Sequence, residues 1–351
     1  MRVLYFGTYE RDYPRNAQVI SCLRRAGAHV VERHVSVWDG QEHKFSAGLG
    51  AALRLARAET SLLRRPDGDC DAVVVGYPGH LDLPAAKRTA RGRPVVFNPL
   101  VSLSDTLVAD RRRFAADSRA ARILRAIDRA AFRAADLVVA DTAAHAELCE
   151  ELGARRTEVC FVGAEERLFT PGWRQPDDFT CLFVGKLIPL HGLETILEAA
   201  RRAPELRFRV VGSGQLQPLL DGRPGNVEWR TWVQYERLPD ELRNCGCALG
   251  IFGTSPKAQR VIPNKVFQAL ACGAPVVTAD TPAARELLAD EQNALLVPPG
   301  DPDALVAALR RLASDPELTR AIAARGLSTY REHASEAILG ARWRALIAGL
   351  L

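Results

Sequence analysis

The chain is 351 residues long, 47% hydrophobic and 25% charged, with a net charge of +5. That is the profile of a globular protein with room for two domains, each with its own core. It contains no run of 18 apolar residues, which argues against a membrane-spanning helix.

Met1 to Phe6 lacks the long apolar stretch and the small-residue cleavage site of a leader, so it reads as a first strand. The eight cysteines are scattered, with Cys245-Gly-Cys247 the only close pair, and point to reduced thiols of a cytosolic protein rather than a zinc site. Positive charge is concentrated: residues 111–133 hold eight arginines and two aspartates. A nucleic-acid binder would spread cations over a face and interleave aromatics, so that class is disfavoured.

Residues 2–6 form an apolar strand ending at Gly7, followed by a loop from Thr8 to Asn16, a helix over 17–26 and a strand over 29–34. Such loops usually have about two to six residues, so this longer one has room for a task. It carries no Gly-x-Gly-x-x-Gly pattern, which disfavours a dinucleotide-dependent dehydrogenase. A helix is expected over 46–64, a fully buried strand over 71–76, a helix ending near Gly92 and a strand over 94–97. Continuous apolar strands of this kind belong to parallel sheets. The loops after them carry His80, Asp82, Asn98, Ser102 and Asp105, on the edge where open α/β sheets bind ligands.

Residues 119–134 place Ile123, Ile127, Ala130, Ala131 and Ala134 on one stripe, with arginines elsewhere. This is either a solvated surface helix or a contact for an anionic membrane or acceptor. A strand over 137–140, a helix over 143–151 and a strand over 158–162 complete the first half. The turn-rich Pro171-Gly172 and Gln175-Pro-Asp-Asp178 mark the domain boundary.

A second alternation follows: strand 180–184, loop 185–192, helix 193–203, strand 207–211, Gly212-Ser-Gly214 and a helix containing Pro218. After it come strand 227–229, helix 238–244, strand 248–251, helix 263–272, strands 276–278 and 295–297, helices 303–314 and 316–325, and a final helix over about 332–350. Domains are therefore expected at 1–172 and 173–331, with 332–351 packing back on the first.

The helix over 263–272 has Pro263 at its start and Gly273 just past its end, and its N-terminus offers free backbone N–H groups to an anion. Lys257, Arg260 and Lys265 surround that end, while Lys186 and His191 flank the loop after strand 180–184. Convergent cations suit a diphosphate leaving group, whose departure depends on stabilising developing charge. No Asp-x-Asp sits in a suitable loop and no Walker loop is present, so the expectation is no metal and no cofactor.

Phe183-Val-Gly-Lys-Leu-Ile-Pro-Leu-His-Gly192, Val210-Val-Gly-Ser-Gly214 and Phe267-Gln-Ala-Leu-Ala-Cys-Gly-Ala-Pro-Val-Val277 resemble the C-terminal domain of family 4 glycosyltransferases. Ala135-Asp-Leu-Val-Val-Ala140 and Val162-Gly-Ala-Glu-Glu-Arg-Leu-Phe-Thr-Pro171 resemble the segments before that family's interdomain linker. The resemblance implies a GT-B fold, two Rossmann-like doubly wound α/β domains facing across a cleft, and sugar transfer with retention from a nucleotide-diphosphate sugar held mainly by the second domain. It implies that Lys186, Arg260 and Lys265 stabilise the leaving phosphates with His191 assisting, and that Gln268 holds the ribose. His80 and Asp105 would orient donor sugar or acceptor, and Arg15 and Asn16 would line the cleft. Gly7, Gly185, Gly212, Gly214, Lys257 and Asn264 complete the binding set.

The chain departs from the family at Arg260 and Gln268, where two glutamates are usual, and at His191, where the first diphosphate loop usually has a second permanent cation. Arg260 would then address phosphate or an anionic sugar. A nucleotide-sugar 2-epimerase of the same fold and a non-catalytic nucleotide-sugar-binding protein remain as alternatives. The acceptor, whether small molecule, lipid-linked or glycan, is not encoded legibly. The expected location is cytoplasmic, with peripheral contact at the inner membrane face through residues 111–133.

Overall fold

Every strand pairing among the described residues is parallel, as the continuous apolar runs predicted. The computed structural model describes residues 1–11, 13–37, 49–64 and 69–351. They divide into two units, the first comprising Met1–Val108, Arg112–Phe161 and Glu336–Leu351, the second Ala109–Arg111 and Val162–Ser335.

The first unit contains β1 (Arg2–Gly7), α1 (Pro14–Arg25), β2 (His29–His34), α2 (Leu49–Arg64), β3 (Ala72–Val75), α3 (Leu83–Ala90), β4 (Val95–Phe97), α4 (Arg119–Ala134), β5 (Leu137–Ala140), α5 (Ala143–Glu151) and β6 (Thr157–Val159). Its strands run in the order β2-β1-β3-β4-β5-β6. Apolar clusters lie on both faces of this sheet, one including Val3, Tyr5, Val74 and Val96, the other Leu4, Phe6, Val73 and Phe97.

The second unit contains β7 (Thr180–Val184), α6 (Leu193–Arg202), β8 (Arg207–Val211), β9 (Val227–Arg230), α7 (Leu238–Arg243), β10 (Cys247–Leu249), α8 (Asn264–Cys272), β11 (Val276–Ala279), α9 (Pro282–Arg285), β12 (Leu295–Val297), α10 (Pro302–Ser314) and α11 (Pro316–His333). The order here is β12-β11-β10-β7-β8-β9, so the winding reverses between β7 and β10. In the first sheet it reverses between β1 and β3. Such reversal points leave a crevice beyond the carboxyl ends of the strands, where open α/β sheets hold ligands.

The last helix, α12 (Glu336–Ala348), belongs to the first unit and packs on α1. Leu339, Trp343, Leu346 and Ile347 join Val19, Cys22 and Leu23 in one cluster. Each large apolar side chain buried there contributes about 1.5–3 kcal/mol. Gly340 permits the close approach, since a Cβ there would lie 2.4 Å from the Cys22 carbonyl oxygen.

Several sequence expectations shift. α1 begins at Pro14 rather than 17, because Pro at the first helical position has the required φ. The stretch around Pro218 is only the 3-10 turn Gln217–Leu220, with Gly222, Pro224 and Gly225 close behind it. α9, unforeseen, is nucleated by Thr281, whose hydroxyl accepts from the Ala284 N–H. The expected helix start at 46 lies outside the described residues. The units divide after Phe161 rather than at Gly172. The intervening segment is tied into the second unit by Arg243, which donates to the Leu168 and Thr170 carbonyls at 3.3 and 3.1 Å. No helix among the described residues is long and apolar enough to cross a membrane.

Candidate functional site

The reversal point of the second sheet is floored by glycine backbone. β7 is followed by Gly185, whose φ of +149° lies in the region L side chains rarely adopt. A Cβ there would stand 2.9 Å from Lys265 Nζ and 3.3 Å from His191 Cε1. Gly212, after β8, also has φ +149°, and a Cβ on it would sit 1.9 Å from the Gly185 carbonyl oxygen. The two loops are zipped together, Leu187 N–H donating to Ser213 O and Leu216 N–H to Leu187 O, both at 2.9 Å. Gly214 continues the close approach, 2.8 Å from Leu187 O by the same construction.

Two side chains, Lys265 and His191, close over this floor. Lys265, in the first turn of α8, carries its ammonium 3.6 Å from the centroid of the Phe183 ring. That ammonium is buried and has no hydrogen-bond partner among the described residues. Burial holds its pKa well below the ordinary lysine value. His191 donates through Nδ1 to the Lys186 carbonyl and packs edge-on against Phe183. Its pKa is lowered well below the ordinary value, first by burial and then by the Lys265 charge, with Lys257 adding to the effect. The neutral ring therefore presents a bare Nε2, and it becomes a second donor only when an anion draws a proton onto it.

The N-cap of α8 is Pro263, which supplies no side-chain cap; the Val266 N–H turns back to the Pro263 carbonyl at 2.9 Å, and the positive end of the helix suits an anion. Gln268, one turn after Lys265, donates from Nε2 to the Tyr235 hydroxyl at 3.4 Å, and Tyr235 leans on Phe169. Lys257 is buried, Arg260 and Asn264 are half-buried at the start of α8, and Lys186 points outward while its carbonyl anchors His191. The structure thus brings Gly185, His191, Gly212 and Lys265 into one contact group, with Gly214 on the adjoining loop and Lys257 near enough to lower the His191 pKa; Asn264 and Gln268 share α8 with Lys265, and Arg260 lies in the turn before it. Tyr235 escaped the sequence reading, because a tyrosine in a polar turn gives no periodic signal.

The corresponding edge of the first unit differs. Arg15 lies in α1, is fully buried, and donates to Asn98 Oδ1 and to the Phe161 and Cys160 carbonyls at 3.0, 2.7 and 3.1 Å. Asn16 is fully buried with both N–H donors on the Glu10 and Tyr77 carbonyls and its oxygen accepting from Tyr5 and the Tyr77 N–H. Neither residue offers an atom to a ligand, which corrects their assignment to a binding wall. Gly7 is also structural: a Cβ there would lie 2.0 Å from Asp82 Oδ2, the oxygen that accepts the Thr8 N–H at 2.7 Å.

His80 is enclosed as well. Its Nδ1 donates to the Pro78 carbonyl, Nε2 stands 3.4 Å from Asp128, and the ring meets Phe97 and Phe132 edge-on. Burial lowers its pKa, with Asp128 opposing. The ring is thus buried in the core rather than set on an open edge, although Nε2 makes no hydrogen bond among the described residues. Asp128, which sequence reasoning missed, accepts from Ser102, Leu103 and Ser104 and so shapes the loop leading to Asp105. Asp105 itself is half-buried, opening a π-helical turn over Asp105–Asp110. Among the described residues no group of three or more His, Cys, Asp or Glu is arranged to hold a metal.

Comparison with known proteins gives two family models. One described as "Glycosyl transferases group 1" matches residues 178–315, and one described as "Glycosyl transferase 4-like domain" matches residues 2–165. The lipopolysaccharide core biosynthesis glycosyltransferase LpsE of Rhizobium meliloti is 26% identical over 208 residues, 56% of this chain and 60% of that protein. The chain spans about half the length of the curated relatives it matches, from 60% down to 40%. Sucrose-phosphate synthase from Thermosynechococcus elongatus superposes with a TM-score of 0.76 at 15% identity, covering 99% of this chain and 98% of that one. Anabaena HepE, solved with UDP and glucose, gives 0.71 at 17% identity, covering 99% of both. These structures establish the two-domain GT-B fold.

Proposed function

The chain belongs to the group 1, family 4-like glycosyltransferases, and on that premise we propose that it moves a sugar from a nucleotide-diphosphate donor to an acceptor, with retention and without a metal ion. The observation that carries this reading is the unpartnered, buried Lys265 ammonium beside a floor of glycines at a reversal point. A buried cation without a counter-charge is costly, and a diphosphate at the start of α8 would supply that charge.

Lys265 would neutralise the leaving phosphates, with Lys186 and Arg260 contributing from the rim. His191 would become a donor as it takes a proton in the anion's field. Gln268, with Tyr235 behind it, would hold the ribose. The departing diphosphate oxygen would accept the acceptor's proton on the face it leaves, which accounts for retention without a protein nucleophile. Asp105 remains the candidate for orienting sugar or acceptor from the first unit. HepE binds UDP and glucose, which supports a nucleotide sugar as donor; LpsE acts in lipopolysaccharide synthesis, which supports a lipid-linked or glycan acceptor. The eight cysteines are buried and form no disulfide among the described residues, which fits a reducing, cytoplasmic setting.

Incubation with UDP-, GDP- and dTDP-sugars tests the proposal. Slow donor hydrolysis that persists in EDTA is expected, and product NMR should show the donor's anomeric configuration kept. An isomerised donor would make the protein an epimerase. Tight binding without turnover would make it a binding protein, the outcome that Arg260 and Gln268 in place of the family's glutamates would explain.

A further inference from the structure

Among the described residues, most surface arginines outside the site have acidic partners. Arg201 and Arg202 pair with Glu198, Arg209 and Arg230 with Glu228 and Glu241, Arg310 with Glu205 and Arg311 with Glu291. The exposed face of α4 breaks this habit. Arg119, Arg122, Arg125, Arg129 and Arg133 recur every three or four residues, which puts them on one side of the helix. None of the five has an acidic partner among the described residues, and Arg125 makes only a hydrogen bond to the Ala116 carbonyl. Asp128, the one acid within α4, is turned inward and fully buried.

Arg122, Arg125, Arg129 and Arg133 line a single shallow groove whose remaining wall is Ala126 and Ala130. At 1.5 Å per residue the row is about 16 Å long. Two large apolar side chains of this region are exposed, Ile123 on α4 at 60% and Phe114 in the segment before it at 40%. The Arg125 bond to Ala116 ties the segment carrying Phe114 to the helix.

We propose that this face of α4 docks on a bilayer surface carrying anionic headgroups. Like charges aligned on one face repel one another, and lipid phosphates would relieve that repulsion with charge-assisted, two-pronged guanidinium contacts. The alanines leave space between the arginines for headgroups, and Ile123 and Phe114 are placed to reach the acyl boundary. A nucleic-acid surface would interleave stacking aromatics and amides with its cations, whereas the neutral residues of this groove are aliphatic. The assignment is independent of the transferase reading, since none of these residues belongs to the donor site.

Flotation of the full chain with vesicles of phosphatidylcholine, alone or mixed with phosphatidylglycerol, tests it. The wild type should float with the mixed vesicles only, and less as salt is raised. Each arginine near an anionic surface is worth about fivefold in partition, so Arg122→Gln, Arg125→Gln, Arg129→Gln and Arg133→Gln together should lose several hundredfold at an unchanged unfolding midpoint. If that variant folds poorly, Arg122→Gln with Arg129→Gln should still lose about 25-fold. Ile123→Ser should weaken the binding that survives in salt. Failure of the wild type to float, or floating that the arginine variants do not reduce, overturns the proposal. So does complete displacement by heparin with Ile123→Ser silent, which would assign the face to a soluble polyanion.

Discussion

The two sheets share an architecture, and each has a crevice where its winding reverses, yet the chain treats the two crevices in opposite ways. In the first unit the crevice is filled from within. Asp82 reaches over Gly7 to take the Thr8 N–H and hydroxyl, Asn16 satisfies four backbone and side-chain groups, and His80 is locked among Phe97, Phe132 and Asp128. In the second unit the crevice is lined by glycine backbone, and the lysine that overhangs it has no hydrogen-bond partner among the described residues. A polar group that has satisfied its neighbours is part of the fold. One held desolvated and unsatisfied over an open glycine floor is placed for something that arrives later. His80 Nε2 and Asn98 Nδ2 also lack hydrogen-bond partners among the described residues, so the contrast is between a crevice filled by the chain's own side chains and one floored by glycine backbone beneath a buried lysine, and it can be broken by substitution.

The largest expected effect is at Lys265. Lys265→Met keeps the apolar stem and removes the charge, so kcat/KM should fall by about 10²–10³, the scale of losing one transition-state donor. The melting temperature of the ligand-free protein should stay level or rise, because a buried, desolvated amine without a hydrogen-bond partner among the described residues is removed. A variant that melts much earlier but still turns over would mean that Lys265 is structural, and the contrast between the crevices would disappear.

Asn16→Ala is the mirror experiment. Four buried hydrogen bonds lose their partner, and unfolding in urea should show a loss of about 3–5 kcal/mol. Nucleoside-diphosphate affinity of the folded fraction, by calorimetry, should change less than about twofold, near the limit of what such a titration resolves. A large loss of affinity would return Asn16 to the binding set.

These two residues show where sequence reading succeeds and where it stops. The parallel sheets were legible because strands buried on both faces must be continuously apolar, and the grouping of Gly185, His191, Gly212 and Lys265 because glycines and cations cluster at strand ends. In the first unit the reading failed at Arg15, Asn16 and His80 for a common reason. A polar residue after a strand has the same identity whether it serves a ligand or the chain's own backbone, and only the partner separates the two. Asp128 was hidden the same way, an acid among arginines whose inward rotation no composition reveals.

The pH dependence separates the crevices more gently. Burial lowers both Lys265 and His191, the latter also through the Lys265 charge. In the unfolded chain both return to ordinary values. As pH falls through about 10 for lysine and about 6.5 for histidine, the unfolded state binds protons that the ligand-free folded state refuses, so stability drops. It is recovered as pH rises. Binding of an anion runs the other way, because it favours the charged forms and takes up protons. The dissociation constant of UDP should therefore rise with pH, by up to about tenfold per unit for each proton taken up. Calorimetry in buffers of different ionisation enthalpy would count those protons directly. A count of zero would mean that the crevice is already charged when empty.

The smallest effect is expected at Gln268. Its amide meets the Tyr235 hydroxyl at 3.4 Å, a weak bond that leaves the oxygen end for a ligand. If that end receives ribose hydroxyls, Gln268→Glu replaces a neutral acceptor with a charged one, and charge-assisted bonds are roughly twice as strong. UDP should bind several-fold tighter to the variant, and the gain should vanish with 2′,3′-dideoxy UDP, which has no hydroxyl to donate. An equal change with both nucleotides would place the ribose elsewhere. A weaker bond with both would mean that the new carboxylate meets the diphosphate instead, and that the Lys265 crevice lies closer to Gln268 than the ribose assignment allows.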